Sequence, residues 1–259
     1  MKFAILTDIH LGPEEHYKGV LRKMTKDAKI FLDKFLAEMN DNAKPNFVMV
    51  LGDLIQEIDE KNDRENMQYI INLLSGLNCP VYYAAGNHDI KKISEEDLAH
   101  FFKQKKLYYS FNHGEFHFIV LFSKKISDTE ITIDENQVDW LKQDLSNTSC
   151  KCVIFVHHSL ADQDLTGNPW FEGRAYKCLI ANRKEVREIL AESKKVIAVF
   201  NSHLHWDKRH FHDDIPYFTI QSLTENEDDK GVASEAHAIV DINDGQVQVE
   251  IKGNYSKKY

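Results

Sequence analysis

Short, uninterrupted apolar runs recur along the chain, and each stops at a polar tip. Phe3-Ala4-Ile5-Leu6 leads to Asp8, Phe47-Val48-Met49-Val50-Leu51 to Asp53, and Val81-Tyr82-Tyr83-Ala84-Ala85 to Asn87. Val153-Ile154-Phe155-Val156 meets His157, and Val196-Ile197-Ala198-Val199-Phe200 leads to His203. A run that is apolar throughout, rather than alternately, predicts a strand covered on both faces. Between these runs the period changes. Val20, Leu21, Met24, Ala28, Phe31, Phe35 and Met39 fit one apolar face of a helix. Further helices are predicted over 63–75, 94–103, 134–145 and 182–191, with Ser94 and Asp97, and Asp134 and Gln137, at capping positions.

Strands that alternate with helices argue for an α/β fold with right-handed crossovers. The end of the chain differs. Residues 208–212, 215–221, 237–242 and 246–251 read as strands, and Asn243-Asp244-Gly245 is a hairpin signal. Antiparallel strands from about residue 208 onward should therefore extend a second sheet. No internal repeat, low-complexity tract or linker-like stretch divides the sequence, so a single domain over 1–259 is the simplest organisation.

Charge narrows the partners. The formal net charge is −9, Lys and Arg are scattered, and the longest acidic cluster is Glu225-Asn226-Glu227-Asp228-Asp229. A protein that grips a nucleic-acid backbone shows a basic stripe, so a nucleic-acid partner is disfavoured, whereas one small phosphate can still be drawn to a local metal site. No apolar run approaches the roughly 20 residues of a membrane span, and the start at Met1 lacks the features of a secretory signal. A cytoplasmic protein is expected. In that setting Cys79, Cys150, Cys152 and Cys178 read as reduced thiols.

The polar tips carry the chemistry. They are Asp8-Ile9-His10, Gly52-Asp53, Gly86-Asn87-His88-Asp89, His157-His158 and His203-Leu204-His205. In open α/β sheets ligands gather beyond the carboxyl ends of strands, so five tips would deliver Asp, Asn and His side chains to one place. Carboxylates and imidazoles collected there need a counter-charge, which divalent cations supply. Asp-x-His alone is a weak signal, His-x-His a modest one and Gly-Asn-His-Asp a stronger one; the ordered set, each member following an apolar run, points to metal.

This ordered set resembles the calcineurin-like metallophosphoesterase superfamily, whose pattern is D-x-H, G-D, G-N-H-[DE], H and G-H-x-H. The likeness spans Asp8 to His205. Compact length and the His157-His158 pair resemble the bacterial cyclic-nucleotide and glycerophosphodiester phosphodiesterase branch. The resemblance implies two mixed β-sheets packed as a sandwich and flanked by helices, a four-layer fold. It also implies that Asp8, His10 and His205 hold one metal, that Asn87, His157 and His203 hold the other, and that Asp53 bridges them. His88 would face the substrate, with Asp89 fixing its tautomer. His158 would lie behind the ligands or face the substrate. This donor set suits Mn²⁺, Fe or Zn²⁺, with no thiolate to force zinc alone. Two departures stand out: Ser202 replaces the usual Gly before His203, and Gln56 replaces an Asp often found three residues after the bridging one.

Two cations about 3.5–4 Å apart can hold a bridging hydroxide at neutral pH, which would attack phosphorus in line while His88 assists the departing oxygen. The expected enzyme is a metal-dependent phosphoric ester hydrolase acting on a small-molecule phosphodiester or nucleotide pyrophosphate. A phosphomonoesterase or protein phosphatase with the same metals is the alternative, and a non-catalytic interaction scaffold a minor one. In the turn-rich loop after His157, Arg174 is a candidate to pair with a phosphate, and Trp170 or Phe171 to stack on a base or cover the site, the alternative being that these aromatics close the loop over the core. His210 and His212 read as a solvated or hydrogen-bonded strand face, and His113 and His117 as hairpin residues without matching partners.

Overall fold

The apolar runs are pressed together between two large sheets in the computed structural model, which describes residues 1–226 and 229–259. In chain order the strands are β1 (Lys2–Leu6), β2 (Glu15–Tyr17), β3 (Val20–Lys23), β4 (Val48–Leu51), β5 (Val81–Ala84), β6 (Tyr109–His113), β7 (Phe116–Leu121) and β8 (Lys124–Ser127). Then come β9 (Glu130–Thr132), β10 (Lys151–Val156), β11 (Val196–Asn201), β12 (Lys208–His212), β13 (Ile215–Thr219), β14 (His237–Asn243), β15 (Gln246–Lys252) and β16 (Lys257–Lys258). One six-stranded sheet runs β16-β15-β14-β1-β4-β5, the other β12-β13-β11-β10-β7-β6. Both are mixed. β1, β4 and β5 are parallel, as are β7, β10, β11 and β13, with antiparallel strands toward the edges.

The inner faces of the sheets share one core. Phe3 of β1 meets Phe118 of β7 edge-on at 5.7 Å and Phe155 of β10 at 5.8 Å. All three are fully buried, and each such burial is worth roughly 1.5–3 kcal/mol. The outer face of the first sheet is covered by α1 (Ala28–Glu38), α2 (Glu60–Leu74) and α3 (Glu95–Phe101), and that of the second by α4 (Glu135–Asn147) and α5 (Arg183–Glu192). The result is the four-layer α/β sandwich. Helix starts follow the capping chemistry: Ser94 accepts from the Asp97 amide, and Asp134 from the Gln137 amide.

Two expectations are corrected. The helical pattern from Val20 begins too early, because residues 20–23 form β3 and the helix starts at Ala28. Apolar residues at 20, 21 and 24 fit a strand as well as a helix, and pairing with β2 decides for the strand. The C-terminal strands do not all join the second sheet: β12 and β13 do, whereas β14, β15 and β16 complete the first. His117, on β7 of the β6–β7 hairpin, is hydrogen-bonded, 2.7 Å from Asp144 and 2.6 Å from Asn112, and belongs to no candidate metal group among the described residues. All four cysteines are free. Among the described residues no helix is long and apolar enough to cross a membrane.

Candidate metal centre

Because β1, β4 and β5 run parallel in one sheet and β10 and β11 in the other, their carboxyl ends emerge together. Backbone hydrogen bonds then stitch the tips. The Asp8 amide donates to Gly52 O at 3.0 Å, the His10 amide to Asp53 O at 3.0 Å, and the Ser202 amide to His157 O at 3.0 Å. Asp8, His10, Asp53, His203 and His205 all adopt left-handed backbone, with φ between 49° and 67°. Such conformations are costly for residues with a Cβ, and packing holds them here. Two glycines permit the close approach. A Cβ on Gly52 would lie 2.5 Å from His157 Nδ1, and one on Gly86 would lie 2.2 Å from Asp53 Oδ1.

The side chains are divided between support and free donor. Asp8 Oδ2 accepts from Thr7 Oγ1 at 2.8 Å and from the His203 amide at 3.3 Å. Its Oδ1 has no hydrogen-bond partner and faces His205 Nε2 at 3.4 Å and His10 Nε2 at 3.8 Å. Asp53 repeats the arrangement: Oδ1 accepts from the His88 amide at 2.8 Å, while the unbonded Oδ2 lies 3.2 Å from His157 Nε2 and 3.9 Å from His10 Nε2. Asn87 Oδ1 is also buried without a partner. Imidazoles meet nitrogen to nitrogen, His10 with His205 at 3.1 Å and His157 with His203 at 3.2 Å. Buried oxygens left unpaired opposite converging ring nitrogens are costly unless a cation joins them. The residues therefore fit divalent metal. Asp8, His10 and His205 offer ligand atoms all within 4.8 Å of one another, and so do Asp8, Asp53 and His157, and His157, His158 and His203.

The electrostatics agree. Burial alone would lower every imidazole here, and it does keep His10, His158 and His203 well below the usual histidine range. Against burial, Asp53 and Asp8 raise His157 to about 9, and Asp8 and Glu225 raise His205 to about 9. The carboxylates call for positive charge at this spot.

Supporting contacts orient the rings. His157 Nδ1 is 2.9 Å from Leu51 O, which also accepts from Ser202 Oγ at 2.9 Å. Ser202 does not adopt positive φ, so no glycine is required there. His158 is buried with Nδ1 2.8 Å from Ser123 Oγ. His205 Nδ1 is 2.7 Å from Glu225 Oε2, and His88 Nδ1 contacts Glu57 Oε2. Neither glutamate was singled out from the sequence. Glu225 lies in the acidic cluster, of which Glu227 and Asp228 fall outside the described residues; it is buried.

The expected role of Asp89 is corrected by these contacts. Its carboxylate accepts from the amides of Asp53, Leu54, Ile55 and Gly86 at 2.8–3.3 Å, and Glu57 takes the place proposed for it beside His88. Asp89 fastens the Asp53 loop to the β5 tip.

A cavity of about 550 Å³ opens over the cluster, with Asn87, His88, His158, Trp170 and Arg174 in its wall. Trp170 stacks on Tyr17 at 5.0 Å, and its indole N–H donates to Glu225 Oε2 at 3.0 Å. Arg174 donates to the Tyr17 hydroxyl and to the Trp170 carbonyl. His212 accepts from the Asp162 amide at 3.2 Å, away from the cluster.

Residues 1–207 match the Calcineurin-like phosphoesterase family, and the chain belongs to it. It is a metal-dependent phosphoester hydrolase. It is 24% identical over 211 residues to a probable cyclic nucleotide phosphodiesterase of Xenorhabdus bovienii, covering 79% of this chain and 78% of that one. It is also 24% identical over 210 residues to a 3',5'-cyclic adenosine monophosphate phosphodiesterase of Haemophilus influenzae, with 79% and 70% coverage. Among solved structures, a dimetal phosphatase from Danio rerio shares the fold with a TM-score of 0.74 at 15% identity, covering 99% and 98% of the two chains.

Proposed function

We propose that residues 1–259 act as one domain that hydrolyses small phosphodiesters or nucleotide pyrophosphates with two divalent metal ions, Mn²⁺, Fe or Zn²⁺. The observation that carries this reading is Asp53 Oδ2, an unpaired buried oxygen between His157 of one tip and His10 of another. In this reading Asp8, His10 and His205 would hold one ion, Asn87, His157 and His203 would hold the other, and Asp53 would be shared between them. Bound cations would supply Lewis acidity and bring a water to ionise near pH ~7.

The protein's own residues supply the rest. Glu57 is held at about 2, burial being outweighed by His88 and Lys91, so it is ionised at neutral pH and can only accept. The proton on His88 Nδ1 therefore faces Glu57, and Nε2 is presented toward Asp53 and the cavity. From there an imidazolium can pass a proton to the departing oxygen. Arg174 and Trp170 would contact the substrate beyond the scissile bond, with His158 beside the metal ligands in the cavity wall. The relatives named for cyclic nucleotides support a diester substrate. Metal-reconstituted protein should hydrolyse bis(p-nitrophenyl) phosphate and 3',5'-cyclic AMP faster than p-nitrophenyl phosphate. The opposite order would make the protein a phosphomonoesterase.

A further inference from the structure

The hairpin formed by β2 and β3 brings a lysine into the cavity that no motif announces. Lys23 is only 4% exposed, although it is the last residue of a strand and lines the cavity wall. Its ammonium makes three contacts. Glu15 Oε2 is 2.9 Å away, Gln56 Oε1 3.0 Å, and His88 Nε2 3.4 Å. It also lies 5.3 Å over the Trp170 ring. An ammonium kept this dry must be held by hydrogen bonds or charge, since desolvation is otherwise prohibitive.

The partners do not cancel it fully. Gln56 is neutral, so it fixes the direction of one N–H without removing charge. An Asp at position 56 would remove it. Among the described residues Glu15 is the one carboxylate in contact, and its side chain stands at the rim, 37% exposed, where water screens the pair. The ammonium also lies 3.4 Å from His88 Nε2, which itself lies 3.9 Å from Asp53 Oδ2. The positive charge thus borders the place where the proposed reaction sets its phosphoryl group.

We propose that Lys23 is a phosphate-binding residue that donates to a non-bridging oxygen of anionic phosphoryl substrates, with Gln56 as its positioning residue. This inference rests on the active-site reading above and adds to it a recognition element for the phosphoryl charge. A compact ammonium suits a single oxygen, whereas Nη2 of the forked Arg174 guanidinium is engaged by the Tyr17 hydroxyl and the Trp170 carbonyl. Glu15 then competes with the phosphate for the same ammonium.

The test is calorimetric binding of inorganic phosphate to Mn²⁺-loaded wild type, Lys23→Met, Lys23→Arg and Glu15→Gln, with metal content and melting temperature measured alongside. Loss of one charge-assisted hydrogen bond should weaken phosphate binding to Lys23→Met roughly ten- to hundredfold at unchanged metal content. Lys23→Arg should retain most of the affinity, and Glu15→Gln should raise it. A lysine that merely braces the hairpin predicts otherwise: lower melting temperature in Lys23→Met and Glu15→Gln alike, with no gain in phosphate affinity for the latter. Unchanged binding in Lys23→Met, or no gain in Glu15→Gln, overturns the proposal. If Lys23→Met fails to fold, the Glu15→Gln result decides. Wild type that binds phosphate but cleaves no diester would count against the proposed reaction and leave this comparison readable.

Discussion

Glu225 Oε2 lies 2.7 Å from His205 Nδ1, and this contact turns the opposite nitrogen of the ring toward Asp8. The same oxygen accepts the indole N–H of Trp170, so one carboxylate ties the cavity wall to the metal-facing ring. A carboxylate behind a ligating histidine fixes its tautomer and raises its basicity. Glu225→Gln keeps the shape and an acceptor for Trp170 but removes the charge. Metal affinity is expected to fall roughly 10–100-fold, read by competition with a chromogenic chelator. Unaltered affinity would leave Glu225 as a support for Trp170 alone.

Asp53 stands between the two groups of ligands, so its loss should be felt by both. Asp53→Ala is expected to lower bound metal from about two ions per chain to one or fewer, with activity abolished. Elemental analysis after gel filtration gives the count. Full occupancy would exclude a bridging role.

The raised histidines make metal binding depend on pH. His157 and His205, both near 9 against an ordinary 6.5, carry protons at neutral pH in metal-free protein. Their contribution to the stability of that state is complete below pH 6.5 and is lost as the pH rises through 9. Metal needs the neutral ring, so the dependence reverses. Affinity should rise with pH up to about 9, and binding at pH 7 should release about two protons. Titration calorimetry in buffers of different ionisation enthalpy measures that release. Zero release would show that these rings are already neutral.

Much of the centre can be read from the chain because parallel strands buried on both faces leave apolar runs that end where ligands must stand. Asp8, Asp53, Asn87, His157 and His203 each announce themselves in this way. Glu225 and Glu57 do not. Their partners are 20 and 31 residues away, and a carboxylate's neighbours in sequence say nothing of a contact at that separation. Lys23 was hidden for a different reason: the apolar spacing around it fits a helix, and the hairpin that turns it inward is decided by pairing with β2. Asp89 misleads by adjacency. It follows His88 directly, yet the turn sends the two side chains apart, one to the cavity and one to the amides under Asp53.

That divergence separates three neighbouring roles by measurement. His88→Ala should leave both metals bound and lower kcat by ~10²–10⁴-fold, the usual range for a lost general acid. An alkoxide needs a proton as it leaves, whereas p-nitrophenolate needs little help, so the loss should be larger for an alkyl ester than for bis(p-nitrophenyl) phosphate. Glu57→Gln should show the same leaving-group pattern more weakly, since the imidazole remains but the carboxylate that orients it is gone. Asp89→Ala should behave differently. It strips acceptors from the amides of Asp53, Leu54, Ile55 and Gly86, each unmet buried donor costing about 1–3 kcal/mol. The expected result is a lower melting temperature together with metal loss, and a rate defect that does not track the leaving group. If instead Asp89→Ala keeps its metals and selectively slows the alkyl ester, the proton-transfer chain runs through Asp89 and the assignment of Glu57 is wrong.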